Sequence, residues 1–311
     1  MKIILETERL LLREFLTEDA AAAYDLNSNP EVIKYTGDPP FASIEAARSF
    51  LEQYNAYTEH GIGRYAIIRK SDGEFLGWCG LKYHPKERIV DLGYRLNRSH
   101  WGQGYATESA KATLRYAFDQ QKYYAVVAHA HIENNASHKV LTNCNFPRIK
   151  QITYDGQPTF LYRKENPSYD VRIITAEETW PVRHPVLRKG RPLEDVYMEA
   201  DEKESTFHLG IFFKEIIVGV ASFMEDDHPS FKGTQSRLRG MAVLPEFRKR
   251  GLAAAMLIRA EELLRERDRS ILWFNARLVA LNFYKEMGYE TVGTEFDIPL
   301  VGPHFVMKKE L

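Results

Sequence analysis

Cysteine is scarce, at two residues in 311, Cys79 and Cys144. Neither stands in a C-x-x-C or zinc-knuckle spacing, which excludes a disulfide scaffold and points to a reducing compartment. A surplus of either charge is also missing. Lys and Arg number 42 against 43 Asp and Glu, a formal charge of -1. A nucleic-acid binder usually carries a basic excess, so no nucleic-acid partner is expected. No window approaches ~20 uninterrupted apolar residues, so no helical membrane span is expected. The opening run, MKIILETERLLLREF, brings Glu6, Glu8 and Arg9 straight after a short apolar segment, unlike a secretory leader. The expectation is a cytoplasmic protein, monomer or homodimer.

Several site motifs are missing as well. His129, His131 and His138 have no fourth ligand at zinc spacing, so no metal site is expected, and they read as surface or cleft histidines. No glycine loop ends in Gly-Lys-[Ser/Thr]. The run Gly61 to Ala66 matches a dinucleotide fingerprint loosely, but it precedes a strand where it should follow one. What remains is a globular composition, 44% hydrophobic, 12% aromatic and 27% charged, long enough for two ordinary domains.

The clearest boundary is the polar, proline-containing stretch 163–170, which sets domains at 1–166 and 167–311. In the first half, a strand is expected over 9–15, then a helix capped by Thr17 with Ala21, Tyr24 and Leu26 as its apolar positions. One helix over 43–58 and strands over 65–69, 75–81 and 89–96 follow. In the last of these, Val90, Leu92, Tyr94 and Leu96 share one face, and Asp91 and Arg95 the other. After a glycine loop, Ala106, Ala110, Leu114, Ala117 and Phe118 recur at helical spacing. The second half repeats this grammar: strands over 206–213, 215–224 and 238–244, a glycine loop, a helix carrying Leu252, Met256, Ala260 and Leu263, a strand over 271–274 and a short helix over 280–287. Gly104 and Gly251 lie at matching places, as do Asn145 and Gly288. This is the pattern of a tandem duplication.

Each glycine loop leaves a strand and opens a helix. The first amides of a helix have no internal partner, and the macrodipole puts partial positive charge there. Glycine lets a phosphate reach those amides and allows the tight turn. Such a loop is a pyrophosphate cradle in form. Arg248, Lys249 and Arg250 add charge to the second one.

Arg248, Gly251 and Ala253 fill the signature [Gln/Arg]-x-x-Gly-x-[Gly/Ala]. The run Trp101 to Thr107 follows Gly93-Tyr94, with Asn134, Ser137, Val140 and Leu141 downstream and Glu6-Thr7-Glu8-Arg9-Leu10-Leu11-Leu12-Arg13 at the start. On these residues the chain resembles the GNAT acetyltransferase superfamily in tandem. The first half is similar to the ribosomal-protein-alanine N-acetyltransferase branch, and the second to a generic GNAT domain. The resemblance implies an α/β (α+β) fold of two domains, each a mixed, mostly antiparallel sheet flanked by helices. It implies acetyl transfer from acetyl-CoA to an amine: a protein N-terminus, a polyamine or another small amine. The CoA contacts that it implies are Leu96, Trp101, Gly102, Gln103, Gly104, Tyr105, Ala106, Thr107 and Asn134 in the first half. In the second they are Met241, Ala242, Val243, Arg248, Lys249, Arg250, Gly251, Leu252, Ala253 and Ala254. Asn145 replaces the usual glycine of a Gly-Phe motif, a mild departure because Asn tolerates left-handed backbone.

That reaction needs a deprotonated amine, a donor for the tetrahedral oxyanion, and a proton for the departing thiolate. The resemblance implies that the oxyanion donor is a backbone N–H of the strand before the glycine loop. It places the acid at Tyr284 in the second half. In the first half the matching residue is Leu141, which cannot donate, and the role falls to Ser137, with Asn134 on the pantetheine arm. Asn134 to Ser137 also reads as a helix cap, and the two readings are compatible. Asp91 is the candidate base, acting directly or through water. His208 reads as a satisfied strand histidine, and the acidic residues between Glu194 and Glu204 as a solvated loop. Two other readings stay open at this point: one catalytic half beside a CoA-binding or scaffold half, and a non-enzymatic interaction module.

Overall fold

In the computed structural model, which describes residues 2–299 and 301–311, alternating apolar strands build two separate sheets, one in each of two units, Met1–Asn166 and Pro167–Leu311. Unit 1 runs β1 (Ile3–Glu6), β2 (Leu10–Arg13), α1 (Ala20–Ser28), α2 (Pro30–Ile33), α3 (Ile44–Glu52), α4 (Ala56–His60), β3 (Arg64–Arg69), β4 (Phe75–His84), β5 (Ile89–Leu96), α5 (Tyr105–Arg115), β6 (Ala125–His131), α6 (Asn135–Asn143), β7 (Arg148–Tyr154) and β8 (Gln157–Glu165). Unit 2 runs β9 (Tyr169–Ile174), α7 (Trp180–Leu187), β10 (Phe207–Phe213), β11 (Ile216–Met224), β12 (Gln235–Val243), α8 (Leu252–Glu266), β13 (Ile271–Arg277), α9 (Leu281–Glu286), β14 (Glu290–Ile298) and β15 (Gly302–Glu310).

The sheet orders are β1-β2-β3-β4-β5-β6-β8-β7 and, read from the other edge, β9-β10-β11-β12-β13-β15-β14. With the edge strand β1 set aside, the two topologies coincide. Each sheet has one parallel pair, β5 with β6 and β12 with β13. These are mixed, mostly antiparallel sheets flanked by helices, the fold class that the resemblance implied. Helix α5 buries Ala110 and Leu114, and α8 buries Met256, Leu257, Ala260 and Leu264. Burying each large aliphatic side chain contributes ~1.5–3 kcal/mol.

Several local expectations shift. Thr17 does not cap α1. The Asp19 carboxylate accepts from Leu16 N–H (2.9 Å) and pairs bidentately with Arg13, and the buried positions become Ala20, Ala23 and Leu26. The helix expected over 43–58 breaks between α3 and α4, where the Tyr54 hydroxyl accepts from Arg64 N–H (2.7 Å). Hairpins β7–β8 and β14–β15 lacked clean alternation because their faces are largely exposed. The first nevertheless had a turn signal in Asp155-Gly156, both at positive φ (48° and 74°), the pair that a two-residue hairpin favours. Asn145 takes φ 55°, as Gly288 takes 85°. Each sits just past a short helix, and the next amide closes back on Leu141 or Tyr284 carbonyl at 3.0 Å.

Candidate active site

The parallel pairs splay apart. β5 and β6 are in register only at Asp91↔Val127, yet β5 runs on to Leu96. β12 and β13 pair from Gln235↔Ile271 to Arg237↔Trp273, yet β12 runs on to Val243. Each splay leaves a wedge whose strand edge lacks a neighbour. Asn97 N–H bonds Leu76 O (2.9 Å), and antiparallel alternation therefore turns the backbone groups of Leu96 and Tyr94 into the first wedge. Leu244 N–H bonds Val218 O (2.9 Å), which turns Val243 and Met241 into the second. Ala242 faces β11 instead, opposite Val220, so its amide is committed to the sheet and does not serve the wedge. Edges of this kind must be satisfied by a bound group or water.

At the mouth of each wedge stands a glycine bend. Gly104 (φ 84°) and Gly251 (φ 91°) are the N-cap residues of α5 and α8, and neither helix has a side-chain cap. Gly102 and Lys249 also take positive φ, and the bends are solvent-exposed. Both are anchored alike: Trp101 Nε1 donates to Leu96 O (2.8 Å), and Arg248 Nε donates to Val243 O (3.2 Å). The first signature position is thus a clamp on the strand end, filled by unrelated side chains. First-turn amides of α5 and α8 point out unpaired beside these bends. That suits an anion.

The N-terminal segment packs against the first bend. Arg9 donates to Gln103 O (3.1 Å), lies 4.4 Å from the Tyr105 ring centroid, and pairs with Glu108 at 2.6 Å. The Thr7 hydroxyl and the Arg9 backbone N–H also donate to Glu108. Burial works against the Glu108 charge, but these donors outweigh it and hold the carboxyl below its ordinary value. The opening Thr7-Glu8-Arg9 therefore frames the bend, a role that its sequence position did not suggest.

Each wedge has a phenol beside it, on the helix in unit 2 and on the strand in unit 1. Tyr284 on α9 reaches β12, where its hydroxyl donates to Met241 Sδ at 3.9 Å. Burial pushes it up to about 12. In unit 1 the residue matching Met241 is Tyr94. Its hydroxyl reaches the opposite way, from β5 to α6, and donates to Ser137 O (3.2 Å). Burial raises this phenol also, with an opposing hydrogen bond from Ser137. Ser137 is half-buried at the wedge, and Asn134 Oδ1 accepts from its N–H (3.1 Å), so Asn134 does cap α6 while lining the same cavity.

That cavity, of about 240 Å³, opens on the sheet face of unit 1 that carries Trp78, Asp91, Arg95 and His129. Asp91 is enclosed. Its Oδ1 accepts from Arg64 Nη2 (2.7 Å) and its Oδ2 meets His129 Nδ1 (3.0 Å). Burial acts to raise the carboxyl, but the His129 hydrogen bond and the Arg64 charge prevail and hold it below its usual value. With both oxygens engaged, Asp91 is a poor direct proton acceptor, contrary to its reading as the base. Arg64 is pinned in turn by Gly80 O (2.5 Å), and any Cβ at Gly93 would lie 2.6 Å from its guanidinium. His129 stacks on Tyr154 (centroids 4.1 Å, 14°). Histidine spacing alone could not have found it, because its partner lies 38 positions away on another strand.

Unit 2 places its charged residues differently. Arg183 is fully buried and binds Asp201 at 2.5 and 3.0 Å, so Asp201 leaves the expected solvated loop for the interior. Arg183 also donates to Ser222 Oγ, which bonds His208 Nδ1 (2.6 Å), while His208 Nε2–H reaches Asp201 O (3.0 Å). His208 is a satisfied structural residue. Among the described residues no three His, Cys, Asp or Glu side chains group to hold a metal ion, and no helix is long and apolar enough to cross a membrane.

The Acetyltransferase (GNAT) domain model matches residues 9–147, and the Acetyltransferase (GNAT) family model matches 171–289. The chain is 34% identical over 143 residues to the uncharacterized N-acetyltransferase YitI of Bacillus subtilis, covering 46% of this chain and 96% of that one. It is 30% identical over 200 residues to the FsC-acetyl coenzyme A-N(2)-transacetylase of Aspergillus fumigatus, covering 60% of this chain and 82% of that one. Among solved structures, a GNAT-family acetyltransferase from Bacillus anthracis aligns with a TM-score of 0.46 at 25% identity, over 53% of this chain and 99% of that chain.

Proposed function

The chain belongs to the GNAT acetyltransferase family and is an acetyl-CoA-dependent N-acetyltransferase, and from that premise we propose how its residues divide the work. Each unit takes one acetyl-CoA, which supplies the activated acetyl thioester. The exposed first-turn amides at Gly104 and Gly251 hold its diphosphate, with Arg9 at the first bend and Arg248 to Arg250 at the second. The observation that carries this reading is the pairing, in both units, of an unpaired strand edge with an uncapped left-handed glycine. The N–H groups of Leu96 and Val243, whose carbonyls are already clamped, and the backbone groups of Tyr94 and Met241 bond the pantetheine arm and steady the oxyanion. Tyr284 donates to the leaving thiolate in unit 2. Ser137 does so in unit 1, beside the Tyr94 hydroxyl, and Asn134 orients the arm.

The acceptor of unit 1 is a single ammonium, either a small primary amine or a peptide N-terminus. Two of the three carboxylates lining its cavity are already engaged, Asp91 by Arg64 and Asp38 by Arg95 at 2.5 Å, which leaves the exposed Asp155. A polyamine would need spare carboxylates for its second and third charges. The free, buried Cys79 and Cys144 support a reducing, cytoplasmic setting. A panel of amines and short peptides, read by thiol release on the intact chain, tests the proposal. Single-ammonium acceptors should turn over at least ~10-fold faster than spermidine. A preference for spermidine would contradict the assignment.

A further inference from the structure

We propose that His129 is the general base of unit 1, with Asp91 and Arg64 as its positioning residues. The inference rests on the reading of unit 1 as an amine acetyltransferase. It moves the proton from the carboxylate, which the sequence had suggested, to an imidazole that the sequence had set aside.

The geometry is a relay of fixed orientation. Arg64 Nη2 holds Asp91 Oδ1, and Asp91 Oδ2 accepts from His129 Nδ1–H. That bond selects the tautomer whose Nε2 carries the lone pair. Nε2 has no hydrogen-bond partner among the described residues, yet it is not among the sealed, unpartnered side-chain atoms, so it keeps access to the cavity that His129 lines. The Tyr154 ring fixes the imidazole plane. An imidazole held by a carboxylate on one nitrogen and open on the other is the arrangement that proton abstraction requires. The charged and titratable groups around it are Asp91 on β5, His84 and Lys82 on β4, Arg64 on β3, His131 on β6, Tyr154 on β7, Asp155 in the following turn, and Glu87 in the β4–β5 turn. Asp91 and Arg64 form a neutral pair, so the carboxylate can stabilise the imidazolium without leaving a bare negative charge in the sheet.

The step balances. His129 Nε2 takes one proton from the alkyl ammonium, leaving a neutral amine. The amine nitrogen forms the new C–N bond as the carbonyl π pair moves to oxygen. Collapse breaks the C–S bond and expels the CoA thiolate, which takes a proton from the Ser137 hydroxyl, and the proton shed by the amide nitrogen restores that hydroxyl. The imidazolium then returns its proton to water, so each turnover releases one proton.

The test uses the full chain carrying Gly251→Glu to silence unit 2. Two acceptors are compared, an alkyl amine protonated at pH 7 and a weakly basic alkoxyamine that is already neutral there. His129→Gln should lower kcat/KM for the alkyl amine about 10²- to 10⁴-fold and abolish the rise of rate with pH. It should leave CoA affinity and alkoxyamine turnover within a few-fold of the parent. Asp91→Asn should give a smaller loss and move the pH limb without removing it. Equal losses on both acceptors, or loss of CoA affinity, would assign His129 a structural or cofactor-binding role and overturn the inference. An active parent with a His129→Gln variant unchanged on both acceptors overturns the base alone. A parent that binds CoA but turns over no amine overturns the reading of unit 1 as an enzyme, and the base with it.

Discussion

Replacing Tyr284 by Phe removes one oxygen atom, which donates to the weakly accepting Met241 Sδ at 3.9 Å. Its loss leaves no buried group unpaired, so unfolding free energy should stay within ~0.5 kcal/mol. The rate should respond differently. Burial places the phenol at about 12, and a thiol ordinarily sits near ~8.5. Complete proton transfer to the thiolate is therefore uphill by roughly 5 kcal/mol. Tyr284 thus acts by donating a hydrogen bond to the departing sulfur. A hydrogen bond to a charged group contributes ~1.5–3 kcal/mol, which corresponds to a roughly 10- to 150-fold fall in kcat. Thiol release by the full chain carrying Gly104→Glu, which silences unit 1, isolates the effect. A kcat that changes by less than about threefold, or a loss confined to acetyl-CoA affinity, would refute the donor role.

Three further outcomes follow from unit 2 and from the wedge of unit 1. Asp201→Ala strands the fully buried Arg183 guanidinium and should cost ~3–5 kcal/mol of stability in urea unfolding; a cost under ~1 kcal/mol would show that the pair is solvated in the native state. Burial lowers the His208 pKa below its ordinary 6.5. Its neutral form is therefore favoured by folding, and the stability it contributes is present above ~6.5 and lost as pH falls below that value. Wild type should lose more stability between pH 7.5 and 5.5 than His208→Gln does, and equal losses would contradict the sign. Ser137→Ala should slow unit 1 more than Tyr94→Phe does if serine is the donor, and the reverse order in a thiol-release assay would pass that role to the phenol.

The sequence made the wedge strands and glycine bends legible because their signals are local. Period-two alternation over 89–96, helical spacing after Gly104 and Gly251, and the residues Asn145 and Gly288 each report one backbone segment. The Asp91–His129–Arg64 cluster was not legible, since it joins three strands whose order in the sheet no local pattern states. The same holds for Arg183, which reaches from α7 to Asp201 and so turns an apparently solvated acid into a core residue. Trp101 and Arg248 looked chemically unrelated. Only the bonds to Leu96 and Val243 carbonyls reveal a shared task. The Tyr94–Met241 correspondence also needed the fold, because a phenol is supplied from the strand in one unit and from the helix in the other.

The central claim is that the chain carries two CoA cradles, each built on an uncapped helix start at a left-handed glycine. Isothermal titration of CoA into the full chain tests it most directly, alongside Gly104→Glu, Gly251→Glu and the double variant, with folding checked by circular dichroism. The account predicts two equivalents of CoA for the wild type, one for each single variant and none for the double. Undiminished binding by a folded double variant would contradict it.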